Sequence, residues 1–170
     1  MKTITTHTQV FTFAELSESA QEKAIHNLCD INMNYEWWDS TYDDAETAGL
    51  KLTAFDLDRN RHAEGKFITS ARECAESIIG NHGDACETFK TAQAFLKDWR
   101  KLEDSYNHDQ EMPLHIEHGL QDLEAEFLKS ILEDYSIILQ KEYEYLTSRE
   151  AVEETIEAND YHFTENGELA

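Results

Sequence analysis

Apolar residues recur at three- and four-residue steps along most of the chain, which is the spacing of one face of an α-helix. The longest such segment runs from about Ile116 to Leu146, and a second regular stripe covers Ala85 to Tyr106. A shorter stripe follows Ser70, a good N-cap residue, and ends before Asn81. Thr147 or Ser148 can cap a further helix over about 149–158. The pattern therefore predicts four helices after residue 70.

The N-terminal third contains a predicted helical hairpin between Glu15 and Ala45. Ser17 is suited to cap its first helix, in which small and aliphatic residues recur at helical steps. A second helix is predicted to begin near Asn34 and to end at Gly49, a typical C-terminal stop. One face of this second helix would carry Tyr35, Trp38, Tyr42 and Ala45.

Shorter segments alternate apolar and polar residues in the manner of β-strands. Leu50 to Asp58 is predicted as a strand, Arg59 to Gly65 as a polar connection and Lys66 to Thr69 as a short partner strand. We expect terminal strands within Thr3 to Phe13 and around Tyr161 to Phe163. One face of the predicted 50–58 strand would carry Leu50, Leu52 and Ala54, and the other face would carry Phe55 and Leu57.

These elements predict an α+β fold that is mostly helical, with five or six helices and a small sheet of two to four short strands. At 170 residues the chain is expected to form a single domain, 1–170, with a buried core. The segment 107–113, which holds the only proline, is the best internal boundary.

Charge changes the functional picture more than any motif does. The chain has 36 acidic against 14 basic residues, a formal net charge of -22. Such a field repels nucleic acid and anionic membranes and favours encounter with basic proteins. Direct nucleic-acid binding is therefore disfavoured, and the expected partner is a basic host protein that binds nucleic acid.

Acidic side chains in two regions are the candidate contacts with such a partner. Carboxylates spaced along helices can imitate a row of phosphates and occupy a nucleic-acid-binding channel. The acidic charge is in excess of what solubility requires, since net charges of about 2 to 8 suffice for a small domain. The candidates are Glu36, Asp39, Asp43 and Asp44 near the N-terminus and Glu124, Glu126, Glu133 and Asp134 on the long helix.

Cysteine usage and hydropathy indicate a cytoplasmic protein. Cys29, Cys74 and Cys86 are an odd number without CxxC spacing, and each candidate helix position can hold a small buried thiol. The N-terminal MKTITTHTQVF lacks the apolar core of a signal peptide. No apolar run approaches the roughly 20 residues that span a bilayer.

Three sequence runs carry a resemblance to known proteins. ELSESAQEKAI at residues 15–25, INMNYEWW at 31–38 and the C-terminal ANDYHFTENGEL resemble a family of small, mostly uncharacterised proteins encoded by phages, prophages and other mobile elements. Members are often labelled antitoxins of toxin-antitoxin stability systems. The family's Gly- and aromatic-rich continuation is replaced here by LKLTAFDLDRNRHAEGKF at residues 50–67, and the resemblance assigns no functional residue.

Trp37 and Trp38 leave two interpretations open. Adjacent residues on a helix point about 100° apart, so the two rings cannot share one narrow stripe. In the first interpretation, a sheet covers the hairpin on one side and a helix on the other. Both rings are then buried. Alternatively Trp37 is an exposed interface anchor ringed by the acidic residues 36–44, which suits an antitoxin that neutralises a specific toxin through an aromatic helix face.

Metal binding and catalysis are weaker alternatives. Asp56 to Asn60 resembles the opening of a calcium loop, but Arg61 stands where the loop needs glycine and Phe67 where it needs glutamate. A metal-dependent enzyme would draw on His108, His115 and His118 with acids nearby. A solvated junction is the simpler interpretation of these histidines.

No catalytic signature is visible in the sequence. We find no nucleophile and base at an interpretable spacing, and no glycine-rich phosphate loop. His82, beside Gly83 and Asp84, fits a helix end better than a general base. The sequence therefore predicts a protein that is not an enzyme and needs no cofactor.

Overall fold

A computed structural model describes residues 1–2, 9–105 and 112–170 of the chain. Its helices are α1 (Glu18–Asn27), α2 (Asp39–Thr47), α3 (Ala71–Asn81), α4 (Glu87–Glu103), α5 (Leu114–Leu146) and α6 (Arg149–Ala158). Its strands are β1 (Phe11–Thr12), β2 (Leu50–Asp56), β3 (His62–Phe67) and β4 (His162–Phe163). The strands form two antiparallel pairs, β1 with β4 and β2 with β3. The predicted α+β, mostly helical fold class is confirmed.

The chain divides into two compact units, which we call the terminal unit and the central unit. The terminal unit holds residues 1–37 and 142–170, and the central unit holds residues 38–141. Helix α5 contributes residues to both. The prediction of one domain with a boundary near 107–113 stays a prediction, and most of that boundary lies outside the described residues.

The core of the central unit lies between the β2–β3 hairpin, the helix pair α3–α4 and α5. The ring of Phe127 stacks on Phe95 at 4.3 Å and on Phe67 at 5.6 Å between centroids. Gly65 is needed where the hairpin meets α5, because a Cβ there would lie 2.6 Å from the Lys51 carbonyl oxygen and 3.0 Å from Leu132. The close approach of β3 to α5 thus depends on a residue without a side chain.

Local signals explain where the helices of the central unit begin and end. Ser70 and Glu73 form a capping box at the start of α3, with the serine hydroxyl oxygen 3.2 Å from the Glu73 amide nitrogen. The two hydrogen bonds from Ser70 lower the pKa of the Glu73 carboxyl, the backbone one most. Gly49 follows α2 with φ +91°, a conformation that favours glycine. The predicted cap and stop are both confirmed.

The terminal unit is built from the two ends of the described chain. Ser17 caps α1, accepting a hydrogen bond from the Ala20 amide at 3.4 Å, as predicted. Phe13 packs edge-on against Phe163 at 6.2 Å, and β1 pairs with β4 so that Phe11 lies opposite Phe163. The remaining buried members of this core are Leu16, Ala20, Ala24, Val152 and Ile156.

Several predicted boundaries are wrong. Helix α2 begins at Asp39, not near Asn34, because the Trp37 amide bonds to the Tyr35 carbonyl oxygen at 2.8 Å in a tight turn. Strand β3 begins at His62, since cross-strand pairing continues to Asp56 and shortens the connection. In the described part of the 3–13 stretch, the strand is β1, and residues 3–8 lie outside the described residues.

The faces of β2 also differ from the expected alternation. Leu50 and Leu52 are buried, but Ala54 is exposed. A register shift between Leu52 and Ala54 interrupts the two-residue period, as a β-bulge does. Strict alternation therefore does not hold along the whole strand.

Candidate functional site

The predicted N-terminal acidic contacts do not behave as one cluster. Glu36 precedes α2, while Asp39, Asp43 and Asp44 lie on it, and all four side chains belong to exposed residues. Asp44 is fixed by two side-chain contacts: it accepts a hydrogen bond from the Tyr135 hydroxyl at 2.8 Å and lies 3.5 Å from His82 Nε2. Asp44 thus belongs to a different environment from its neighbours in sequence.

Trp37 is not an exposed interface anchor. Trp37 is 7% exposed, and its ring centroid lies 6.1 Å from that of Tyr143 within the terminal unit. Trp38 and Tyr42 both pack edge-on against Phe55 in the central unit. The turn before α2 makes this possible, because it releases the two tryptophans from the fixed 100° offset of a helix. The aromatic side chains of 37–42 are therefore used inside the fold, and Tyr35 stays exposed.

The four predicted acidic residues on α5 point in different directions. At 100° per residue around the helix axis, the angular positions of Glu126 and Glu133 differ by about 20°. Glu124 lies about 160° around the axis from Glu126, and Asp134 lies about 80° from Glu126. Glu133 is paired with Arg61 at 2.5 Å. Asp134 accepts a hydrogen bond from Thr91 at 2.6 Å, and Glu124 is half-buried. These residues do not form the row of charges that the sequence suggested.

Helix α6 carries a row of carboxylates that is absent from the predicted contacts. Glu150, Glu154 and Glu157 are all exposed, and their spacing of four and three residues places them on one helix face. The opposite face is buried through Val152 and Ile156. The signal is visible in the sequence as acids at i, i+4 and i+7.

Ion pairs with lysine or arginine neutralise some of the acidic side chains. Among the described residues, lysine and arginine pairs engage these acids: Glu22, Glu76, Glu87, Asp98, Glu103, Glu133, Glu153 and Glu168. All these pairs are at least partly exposed, so solvent screening keeps their contribution to stability small and none anchors the fold.

A cleft in the central unit brings Asp44 and Asp134 together. It has a volume of about 510 Å³ and lies between the acidic end of α2, the α3–α4 turn and the last part of α5. His82, the C-cap residue of α3, lines the cleft with its side chain 10% exposed. Its Nδ1 is 2.8 Å from the Thr88 hydroxyl, and its Nε2 faces Asp44. His82 is thus both the helix end that the sequence predicted and a fixed wall of the cleft.

The cleft does not assemble a nucleophile with a base. Both ring nitrogens of His82 are engaged, so neither is directed at the exposed thiol of Cys86, which also lines the cleft. Thr88 contacts His82 but is 2% exposed, which closes its hydroxyl to a substrate. The arrangement positions Asp44, and offers no activated nucleophile.

The three cysteines lie in different environments. Cys74 is buried, and burial raises the pKa of its thiol to about 11. Cys29 and Cys86 are exposed, because Cys29 follows the end of α1 and Cys86 precedes α4. Of the three positions that could hold a buried thiol, Cys74 does so, and Cys29 and Cys86 do not.

The metal alternatives find little support in the described residues. Asp56 accepts a hydrogen bond from the Asp58 amide at 2.7 Å in the turn between β2 and β3, so the calcium-like run is a hairpin turn. Over residues 9–105 and 112–170, no group of three or more histidine, cysteine or acidic side chains is arranged to hold a metal ion. His115 and His118 are exposed, and His108 lies outside the described residues.

Comparisons with known proteins return no match. No protein family model fits the chain, and neither a curated protein nor a solved structure is significantly similar to it. In the part of the chain that the structure describes, no helix combines the length and apolar composition needed to cross a membrane.

Proposed function

We propose that this chain is a non-enzymatic acidic interaction protein that binds and blocks a basic, nucleic-acid-handling protein. The observation that carries the proposal is the α6 row of Glu150, Glu154 and Glu157, exposed on one face of a helix whose other face is buried. Burial of Val152 and Ile156 fixes the helix, so the charges are held in place and not on a flexible tail. A fixed array of like charges favours a partner of complementary charge.

The spacing of this row is compatible with imitation of a nucleic-acid backbone. With a rise of 1.5 Å per residue, the three carboxylates follow each other at steps of about 6 Å and 4.5 Å along the helix. One DNA strand carries a charge every 3.4 Å or so along the axis. The row is therefore somewhat less dense than a phosphate backbone, yet it presents charge at regular intervals to a basic groove.

Unneutralised charge elsewhere supports the same function. Repulsion among carboxylates costs stability in a free acidic protein, and a basic partner relieves it. The resemblance of residues 15–25 and 31–38 to proteins of phages and mobile elements agrees with an inhibitor of a host protein. The aromatic alternative is less favoured, since Trp37 is buried and Trp38 packs on Phe55.

The proposal is tested by affinity capture from a host lysate, with the full chain on resin and elution in salt steps. A basic nucleic-acid-binding protein should leave at moderate salt, because screening shortens the Debye length from about 10 Å at 0.1 M to about 3 Å at 1 M. The variant E150Q/E154Q/E157Q should lose this protein or release it at lower salt. Binding that persists at 1 M salt contradicts the electrostatic mechanism.

A matched control separates the row from net charge. The variant E36Q/D39N/D43N also removes three charges, but from the N-terminal acidic region. If the α6 row makes the contact, this control retains the captured protein. Equal loss in both variants would show that total charge, and not the row, governs binding, and would overturn the assignment to α6.

A further inference from the structure

The cleft of the central unit has a volume of about 510 Å³, which is the size of a small-ligand site, and both charged and apolar side chains line it. Three carboxylates line it, Asp44 from α2, Glu87 from α4 and Asp134 from α5. Glu87 is ion-paired with Lys90 at 2.7 Å, so Asp44 and Asp134 are the two carboxylates considered for ligand binding. Ile137 and Ile138 supply an apolar wall beside them. Lys141 lines its edge and is the one lysine or arginine among the described lining residues.

Asp44 is preorganised by the buried groups behind it. The Tyr135 hydroxyl donates to Oδ2 at 2.8 Å, and Tyr135 is fully buried. His82 Nε2 faces Oδ1 at 3.5 Å, while Thr88 contacts the other ring nitrogen. The Asp44 side chain is 48% exposed, so each oxygen keeps acceptor capacity on its open side. The carboxylate is held in one orientation and remains accessible.

Asp134 lacks a counter-ion. It is half-buried and accepts a hydrogen bond from the Thr91 hydroxyl at 2.6 Å. Desolvation by burial raises the pKa of this carboxyl, and the nearby charges of Glu87 and Glu133 act in the same direction. Among the described residues, no lysine or arginine forms an ion pair with it. A cation placed in the cleft would offset both the desolvation and the repulsion.

We propose that this cleft binds the guanidinium group of an arginine side chain between Asp44 and Asp134. A guanidinium presents several donors in one plane and pairs with carboxylates through two parallel hydrogen bonds. The aliphatic stem of the arginine packs on Ile137 and Ile138. This inference deepens the proposed function and takes its biological meaning from it, since the arginine belongs to the basic partner.

The test uses Nα-acetyl-argininamide, which carries the side chain without a partner protein. Titration into the full chain at pH 7, followed by calorimetry and amide chemical shifts, should show saturable binding with shifts at the α3–α4 turn. Removing one charge-assisted contact should weaken binding by about tenfold or more. We therefore expect this loss in D134N, where the Thr91 hydrogen bond can be kept, and in D44N, where the Tyr135 bond can be kept.

Two further variants guard against trivial effects. E126Q removes the same charge from the same helix outside the cleft and should bind with unchanged affinity. K141M removes the competing cation and should bind a few-fold more tightly, a change that misfolding does not produce. Unchanged affinity in D134N, or absence of saturable binding, overturns the proposal.

Analogues separate the guanidinium from other chemistry. The citrulline analogue has the same shape without charge, and the lysine analogue has the charge without the planar fork. Equal binding of either overturns the assignment to arginine. Because the titration needs no partner, its failure leaves the lysate capture interpretable, and a failed capture leaves this titration interpretable.

Discussion

The hydrogen bond between Tyr135 and Asp44 is the contact through which the core of the central unit fixes the cleft, and its removal gives a measurable cost. Tyr135 is fully buried, and its hydroxyl donates to Asp44 Oδ2 at 2.8 Å. Burial raises the pKa of Tyr135, as does the neighbouring charge of Asp44, so the hydroxyl stays protonated and acts as the donor at neutral pH. Y135F removes this donor while retaining the ring.

The magnitude follows from the exposure of the acceptor. A hydrogen bond to a charged group contributes about 1.5 to 3 kcal/mol. The Asp44 side chain is 48% exposed, so water replaces part of the lost bond. We expect Y135F to lower the free energy of unfolding by about 1 to 2 kcal/mol. With a urea m-value of about 2 kcal/mol/M, the midpoint falls by about 0.5 to 1 M.

A double-mutant cycle isolates the pair from the rest of the core. Y135F, D44A and the double variant are unfolded in urea, followed by circular dichroism, and the three changes are compared with the wild type. Residues in direct contact should couple by at least about 0.5 kcal/mol. Y145F is the control, because Tyr145 is 53% exposed and loses the same atom. A coupling near zero, or an equal loss in Y145F, would refute the role given to this bond.

Three other outcomes test the packing and the electrostatics. F127A removes the middle ring of the Phe67–Phe127–Phe95 stack and should cost about 3 to 5 kcal/mol in urea unfolding, whereas a loss under 1 kcal/mol contradicts the assigned core. G167A should lower the melting temperature by several degrees, because Gly167 has φ +78° and a Cβ there would lie 2.1 Å from a backbone oxygen. For Asp134, burial raises the folded-state pKa, so its contribution to stability is complete below the unfolded pKa of about 3.9 and is lost as pH rises through the folded pKa. The stability of D134N relative to wild type should therefore grow between about pH 4 and pH 7, and a constant difference across that range would argue against the desolvated carboxyl.

Much of the fold could be predicted from local features of the sequence. The parts that could not be predicted depend on contacts between residues far apart in the chain. The capping box at Ser70 and the glycine stop at Gly49 are short-range features, so both are visible in sequence and present in the structure. The start of α2 is not visible in the sequence. The turn at Tyr35–Trp37 before it is favoured by packing of Trp37 on Tyr143, more than a hundred residues away. Helical periodicity cannot report such a partner.

The candidate site was less accessible to sequence reasoning than the fold. Charge counting identified the acidic regions, but it could not tell that Glu133 is paired with Arg61 or that Asp134 faces a cleft with Asp44. Those facts depend on contacts between α2, the hairpin and α5, which are distant in sequence. The α6 row was the exception, since its spacing alone places the three carboxylates on one face.

The assembly of the terminal unit from residues 1–37 and 142–170 has a consequence for how the chain is made. On a ribosome, the central unit is contiguous and is complete while α6 has yet to be synthesised. Phe13 can pack on Phe163 only after Phe163 has been synthesised. This takes roughly 8 to 30 seconds at a synthesis rate of about 5 to 20 residues per second. During that interval the apolar side chains of the N-terminal segment have no native partner, so nascent chains stalled before residue 149 should be the species that chaperones bind and proteases clear.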